Sequence, residues 1–408
     1  MSLYKLYEGR DYRIVPTLER IQKAVEFLGI KDLPFFSFQV GGTNGKGSTC
    51  AFLERLLREH GYKTGWFVSP HLFYEGERWR INGQYMPKEA IDYYVKSIKH
   101  LIERFDLTYF EACTLIALLY FMDEKVDVAV FEVGMGGRWD ATKVCNPGVC
   151  IVTNVQRDHV KWLGKSPEER AYEKLGIYKE GKPLIIGDAK YPLYPMAIEL
   201  CRIEDLRIAG VDFTYWGTVN STKTILKEFN HEKFSIKDLE LGLWGKWQID
   251  NASLALSAFI EVFTPEEKLV RKALSSTVWE GRMELLRKNP LLFVDGAHNE
   301  DGIKRLLKNL KRAGLHLVPV FTGLKDKDWL SSLRYVREYS DKVYLVQVSH
   351  HRGETLENLI QGAKELDFER IIPLQRIEEL LTLDEDLLVL GSLYLVGEVR
   401  ALFHLNPL

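Results

Sequence analysis

The stretch Val40-Gly41-Gly42-Thr43-Asn44-Gly45-Lys46-Gly47-Ser48-Thr49 constrains this chain more than any other. An apolar and aromatic run, Phe35 to Val40, leads into it, and a helix-like run from Ser48 to about His60 follows. Strand, glycine-rich turn, lysine, hydroxyl and helix, in that order, make a phosphate cradle. Glycines let backbone N–H groups converge on oxyanions, and the helix N-terminus adds partial positive charge. Lys46 supplies a full charge, and Ser48 offers a hydroxyl to Mg²⁺. The usual P-loop sets Ser or Thr directly after the lysine, whereas here Gly47 intervenes.

Around this loop, strands and helices alternate. Residues 17–29 read as an amphipathic helix with Leu18, Ile21, Val25 and Leu28 on one face. Lys63 to Val68 reads as a strand ending in Ser69-Pro70-His71. Helices are expected over Lys88 to Phe105 and Thr108 to Met122. Apolar strands follow at Val126 to Val133, ending near Glu132, and at Gly148 to Val155, ending near Asp158-His159. Residues 166–178 form a helix with Ser166 as N-cap and Pro167 at its first position. The alternation predicts an α/β fold with a mostly parallel sheet covered on both faces. Ligands gather at strand C-termini on such sheets, which groups Lys46, Ser48, Ser69, Glu132 and His159.

Residues 205–247, rich in Thr, Phe, Tyr and Trp, predict a small β subdomain, and Asn251 to Val262 a helix. The pattern then restarts with a strand at Leu291 to Val294, the turn Asp295-Gly296-Ala297-His298-Asn299 and a helix to about Arg312. Further strands at His316–Phe321, Lys342–Val348, Arg370–Pro373 and Leu387–Leu390 describe a second, smaller Rossmann-like α/β domain. A length of 408 residues exceeds one ordinary core. The expected domains are therefore 1–287 and 288–408. No G-x-G-x-x-G supports a dinucleotide site in the second.

Charge and composition narrow the partners. A net charge of −2 gives no basic field for nucleic acid. The most apolar run, Cys113 to Met122, is too short to span a membrane. Five cysteines without a CxxC pair suit a reducing cytoplasm, and the charged residues of Met1 to Val15 do not read as a signal peptide. The chemistry alone describes an ATP-using enzyme. Kinase, hydrolysis-driven machine and ATP-dependent ligase all remain open, as does a nucleotide-binding module without turnover.

Ordered motifs along nearly the whole chain resemble a known family. They are Gly42 to Ser48; Ser69-Pro70-His71-Leu72; Leu107 to Glu111; Glu132-Val133-Gly134-Met135-Gly136-Gly137-Arg138; Asp158-His159 with Trp162-Leu163-Gly164; Glu173 to Ile177; Gly281-Arg282; Asp295 to Asn299; Leu324 to Asp328; and Gly391-Ser392. Together they resemble folylpolyglutamate synthase and dihydrofolate synthase, members of the Mur ligase superfamily. The resemblance implies an ATP-dependent ligase that adds L-glutamate to folates, and to dihydropteroate, through an acyl phosphate. A Mur-type ligase acting on a peptidoglycan precursor is the alternative within the fold. The segments at Leu107 to Glu111 and Glu173 to Ile177 argue against it.

The same resemblance implies roles. Thr43, Asn44, Gly45, Lys46, Gly47 and Ser48 hold the ATP phosphates, while Asn251, Arg282 and Asp295 bind ATP. Ser48, Ser69 and Glu132 ligate Mg²⁺, and His159 with a carbamylated Lys174 holds a second one. Lys46, Lys174, His159 and His298 serve catalysis, His298 lying near the transferred phosphate. The pterin site draws on Glu8, Gly9, Arg10, Asp11, Thr108, Tyr109, Phe110, Glu111, Trp139, Asp140 and Ala141. Small molecules are the only implied partners, and the implied state is a cytoplasmic monomer. The chain departs from the family's usual pattern at Trp139, at Lys143 and at Glu280.

Overall fold

A computed structural model describes residues 3–7 and 15–403. Its first sheet holds β1 (Phe36–Gly41), β2 (Thr64–Phe67), β3 (Trp79–Ile81), β4 (Gln84–Tyr85), β5 (Val128–Glu132), β6 (Val149–Val152), β7 (Leu184–Ile186) and β8 (Leu206–Ile208). The order is β4-β3-β2-β5-β1-β6-β7-β8. All neighbours run parallel except at the β2–β3 and β3–β4 pairs. The central strands are mostly apolar because both faces are covered, and their polar residues, such as Ser37 and Gln39 of β1, are buried. In β5, Val128 and Val130 enter one core while Ala129 and Phe131 enter the other. The first core includes the helix Lys46–Glu59 and the helix Trp247–Val262; the second includes the helices Lys88–Phe105 and Tyr109–Asp123.

Register aligns the strand ends. Val40 of β1 sits opposite Glu132 on one side and Ile151 on the other. The glycine-rich loop, Glu132 and the segment after β6 therefore emerge together.

Three antiparallel strands, β9 (Phe213–Val219), β10 (Thr224–His231) and β11 (Phe234–Leu241), form the expected β subdomain. Leu206–Ile208 departs from that expectation, since it joins the main sheet as β8. The helix expected from Asn251 begins four residues earlier, at Trp247.

The second sheet holds β12 (Glu284–Lys288), β13 (Leu291–Val294), β14 (Val318–Phe321), β15 (Lys342–Val346), β16 (Arg370–Leu374) and β17 (Leu387–Leu390). Its order is β12-β13-β17-β14-β15-β16, with only β12 antiparallel to its neighbour. β12 begins at Glu284 and pairs with β13, so the second sheet starts four residues before the expected boundary at 288. Between the domains, Leu72 packs against Val396 and two glycines: a Cβ built on Gly397 lies 2.1 Å from the Leu72 carbonyl oxygen. Among the described residues, no helix is long and apolar enough to cross a membrane.

Candidate active site

The loop after β1 needs glycine for two reasons. Gly42 and Gly45 take φ of +134° and +89°, and Cβ atoms there lie 1.9 Å from Thr153 Oγ1 and 2.4 Å from Asn251 Oδ1. The turn is clamped by the segment after β6. Asn44 N–H donates to Asn154 Oδ1 at 3.0 Å, while Thr153 Oγ1 and Asn154 Nδ2 each donate to the Asn44 carbonyl at 2.7 Å. The helix starts at Lys46, whose Nζ folds back onto the carbonyls of Gly42 (3.2 Å) and Thr43 (3.1 Å). Ser48 is buried and accepts from Gln248 Nε2 at 3.4 Å; Gln248 in turn accepts from Asn251 Nδ2 at 2.8 Å.

Glu132 ends β5 in the interior. Its carboxylate accepts one long bond, 3.4 Å from Ser69 N–H. Burial raises its pKa, against the pull of the Lys46 charge. A buried carboxylate so thinly partnered calls for a cation. The oxygens of Ser48, Ser69 and Glu132 share one cleft and form a hard donor set that fits a Mg²⁺-type ion.

His159 caps the short helix Val160–Leu163 with φ +48°. Burial lowers its pKa to about 4 against the opposing charge of Asp158. The ring is thus neutral at physiological pH and keeps a lone pair for a metal. Lys174 lies on the helix Pro167–Leu175, set by the capping box of Ser166 and Glu169. It is only 3% exposed, and its Nζ donates to the Gly42 carbonyl. Burial, then the Lys46 charge, brings its pKa down to about 7.

The second domain closes the other wall. Asp295 follows β13, and its carboxylate accepts from the N–H groups of Met283 and Ala297, both at 2.9 Å. Burial raises its pKa while Arg282 opposes. His298 Nδ1 donates to the Gly296 carbonyl at 2.8 Å, which leaves Nε2 as the acceptor. Burial, then Lys327, lowers the His298 pKa to about 4. Polar contacts between the cleft-lining loops also cross from one domain to the other, among them Asn299 Nδ2 to Asn44 Oδ1 at 3.1 Å and Lys327 Nζ to Asp158 Oδ1 at 2.7 Å. The cleft between them measures about 350 Å³ and is lined from both domains.

Comparison with known proteins agrees with this architecture. Residues 40–259 match the Mur ligase middle domain, and residues 281–392 match the Mur ligase glutamate ligase domain. Dihydrofolate synthase/folylpolyglutamate synthase of Bacillus subtilis (strain 168) is 30% identical over 95% of each chain. The chain belongs to the folylpolyglutamate synthase/dihydrofolate synthase family of Mur ligases. The folylpolyglutamate synthase of Mycobacterium tuberculosis complexed with ADP and AMPPCP superposes with a TM-score of 0.90 at 27% identity, covering 100% of this chain and 99% of that one. The bifunctional folylpolyglutamate synthase/dihydrofolate synthase of Yersinia pestis complexed with AMPPNP and Mn ion gives 0.85 at 28%, covering 99% of this chain and 98% of that one.

The pterin-site residues that the resemblance implies fall in two adjoining segments and one region outside the described residues. Glu8, Gly9, Arg10 and Asp11 are in that region. Thr108 and Glu111 form a capping box, and Glu111 also pairs with Arg20 at 3.0 Å. Tyr109 is buried, with its hydroxyl donating to Glu75 at 3.1 Å. Phe110 is half-buried and covers Gly134, where a Cβ would lie 2.6 Å from the ring. Asp140 accepts from Gly134, Met135 and Thr142 N–H groups at 3.0 Å; Ala141 is buried and Trp139 is exposed. Gly134, which lines the cleft, thus joins both segments, although neither lines the cleft itself.

The cleft also holds residues to which the sequence reading gave no role. Arg80 lies under the rings of Trp66, Tyr85 and Trp279 at 4.5–4.8 Å and pairs with Glu280 at 3.2 Å. Tyr85 donates to the same carboxylate at 2.7 Å. The sequence signal was Asn82-Gly83, whose positive φ values of 50° and 77° make the hairpin turn between β3 and β4.

Proposed function

We propose that this chain joins L-glutamate to a folate, and also to dihydropteroate, at the expense of ATP. What carries the reading is a phosphate loop facing Arg282 of the hinge and Asp295 and His298 of the second domain across one cleft. A carboxylate is a poor acyl donor because its leaving group would be oxide. Here a carboxylate oxygen attacks the γ-phosphorus, the bond to the bridging oxygen breaks, and ADP leaves. The glutamate amine attacks the acyl carbon, loses a proton, and phosphate departs with its electron pair. The products are an amide, ADP and phosphate.

Lys46 trades its two loop carbonyls for phosphate oxygens, and the loop N–H groups bind the rest. Asn251, Arg282 and Asp295 bind the nucleotide, and His298 reaches the transferred phosphoryl group through Nε2. Ser48, Ser69 and Glu132 hold Mg²⁺, and His159 with carbamylated Lys174 holds a second ion. Bound Mg²⁺ offsets the charge gathered between two anions. The walls supplied by both domains keep water from the acyl phosphate. Thr108–Glu111, Asp140 and their neighbours shape the pterin end beside Gly134. Residues 1–287 carry the ATP-binding work and 288–408 the glutamate-ligase work, in a cytoplasmic monomer.

The test is incubation with ATP, Mg²⁺, L-glutamate and either dihydropteroate or tetrahydrofolate. Glutamate-dependent ADP release is expected with both pterins. No release with either would overturn the folate reading.

A further inference from the structure

Lys327 belongs to no metal or nucleotide role above, yet its position is tightly set. It sits in the loop after β14, where Lys327 N–H donates to the Leu324 carbonyl at 3.0 Å and Leu324 bridges to Gly353. Asp328 caps the next helix by accepting from Ser331 N–H at 3.2 Å. The backbone is therefore fixed, and the side chain reaches across the domain boundary to Asp158. Both side chains are largely sheltered, at 16% and 11% exposure. Asp158 also meets His159, through its N–H at 2.8 Å and its ring at 3.7 Å, and lies within electrostatic reach of His298. Lys327 lines the same cleft as Lys46, His159 and His298, and its charge depresses both histidines.

Two features distinguish this pair from a surface ion pair. Its members stand on two different domains, and the anion holds a flexible cation inside the cleft rather than letting it extend to solvent. The charges opposite are asymmetric. The first domain contributes the cation Lys46 to the cleft, while burial keeps His298 on the second domain neutral at physiological pH. Phosphoryl transfer places negative charge on the non-bridging oxygens of the moving group, and a positioned cation there lowers the barrier.

The geometry points to Lys327 as a further catalytic residue: held by Asp158, it moves onto the non-bridging γ-phosphoryl oxygens of ATP and stabilises them during transfer. The bond from carboxylate oxygen to phosphorus forms, the bond to the ADP oxygen breaks, and Lys327 stays protonated throughout. The second domain thereby contributes charge only when it is seated against the first. The inference rests on the ligase reading only for the identity of the phosphoryl acceptor.

The variants Lys327→Met, Lys327→Arg and Asp158→Asn test it, with thermal melting to show that each is folded. Binding of ADP and of a non-hydrolysable ATP analogue is measured by calorimetry alongside kcat and KM. For Lys327→Met, ADP binding is expected within about twofold of wild type, with analogue binding weakened roughly tenfold, the scale of one charged hydrogen bond. Its kcat is expected to fall roughly 100-fold. Lys327→Arg is expected to recover most of both, and Asp158→Asn to bind the analogue at least as tightly as wild type. Equal weakening of ADP and analogue in Lys327→Met would reduce Lys327 to an interdomain clasp and overturn the proposal. So would a loss of analogue binding in Asp158→Asn equal to that in Lys327→Met. Failure of the folate reading would appear separately, as wild-type protein without glutamate-dependent turnover, and would leave the binding comparison readable.

Discussion

Lys174 Nζ donates a 3.0 Å hydrogen bond to the carbonyl oxygen of Gly42, tying the helix Pro167–Leu175 to the phosphate loop across 132 positions of chain. A protonated lysine in that place would repel both Lys46 and a metal. Burial is the largest cause that brings its pKa down to about 7, and Lys46 adds to it. Above that pH the amine is neutral, the form that can add to CO₂ with loss of a proton to give an anionic carbamate with two hard oxygens.

The pH dependence follows. The folded-state pKa lies below the unfolded value, about 10.4 for lysine. Between these two values the unfolded chain binds the extra proton, so this group's contribution to stability rises with pH across that window. Carbamate formation rises through about pH 7 for the same reason, since only the neutral amine reacts. Carbon-13 NMR with labelled bicarbonate is expected to show a carbamate resonance that grows as the pH is raised through that value, absent in Lys174→Ala. An unmodified side chain at high pH, with full activity of Lys174→Ala, would remove the modification from the mechanism.

Gly45→Ala is predicted to cripple nucleotide binding. Its φ of +89° costs an L-residue about 1–2 kcal/mol. The new Cβ would also meet Asn251 Oδ1 at 2.4 Å, displacing the side chain that links the loop to Gln248. Calorimetry should show ADP affinity reduced at least tenfold, the equivalent of about 1.4 kcal/mol. Wild-type affinity in a folded Gly45→Ala protein would mean that the loop tolerates the clash by shifting as a unit.

Phe110 and Thr108 separate a substrate role from a packing role. The Phe110 ring covers Gly134 and sits 5.7 Å from the ring of Phe67. Thr108 instead caps the helix Tyr109–Asp123. Thr108→Ala is expected to cost about 1 kcal/mol of stability, as lost caps do. Phe110→Ala is expected to raise the KM for dihydropteroate more than it weakens ATP binding. Equal loss of both would assign Phe110 to the core.

The sequence was most legible where burial repeats along the chain. β1 and β5 are covered on both faces, so their apolar runs stand out, and the helices Lys88–Phe105 and Pro167–Leu175 announce themselves through proline and capping residues. β4, β7 and β8 have two or three residues each, too few to show a period, and β12 is a charged edge strand. The site divides in the same way. Residues that share one loop, from Thr43 to Ser48, were readable together. Arg80 beside Trp279, and Lys327 beside Asp158, meet only through tertiary pairing of segments about 200 and 169 positions apart.

Domain closure is the last expectation. Leu72 follows Ser69 by three residues, and the loop between them is pinned because Glu77 accepts from the N–H groups of Leu72, Phe73 and Tyr74 at 2.7–3.1 Å. Leu72 then fits a notch made by Gly281, Val396 and Gly397 of the linker and second domain. Groups at the phosphate end and the domain contact thus move on one short segment. Gly397→Ala would set a Cβ 2.1 Å from the Leu72 carbonyl oxygen, which backbone cannot yield without separating the domains. Small-angle scattering is expected to show wild-type protein compacting when ATP analogue and pterin are both present. Gly397→Ala should stay expanded, with kcat reduced while melting remains cooperative. Compaction of Gly397→Ala to the wild-type dimension would show that closure does not run through this notch.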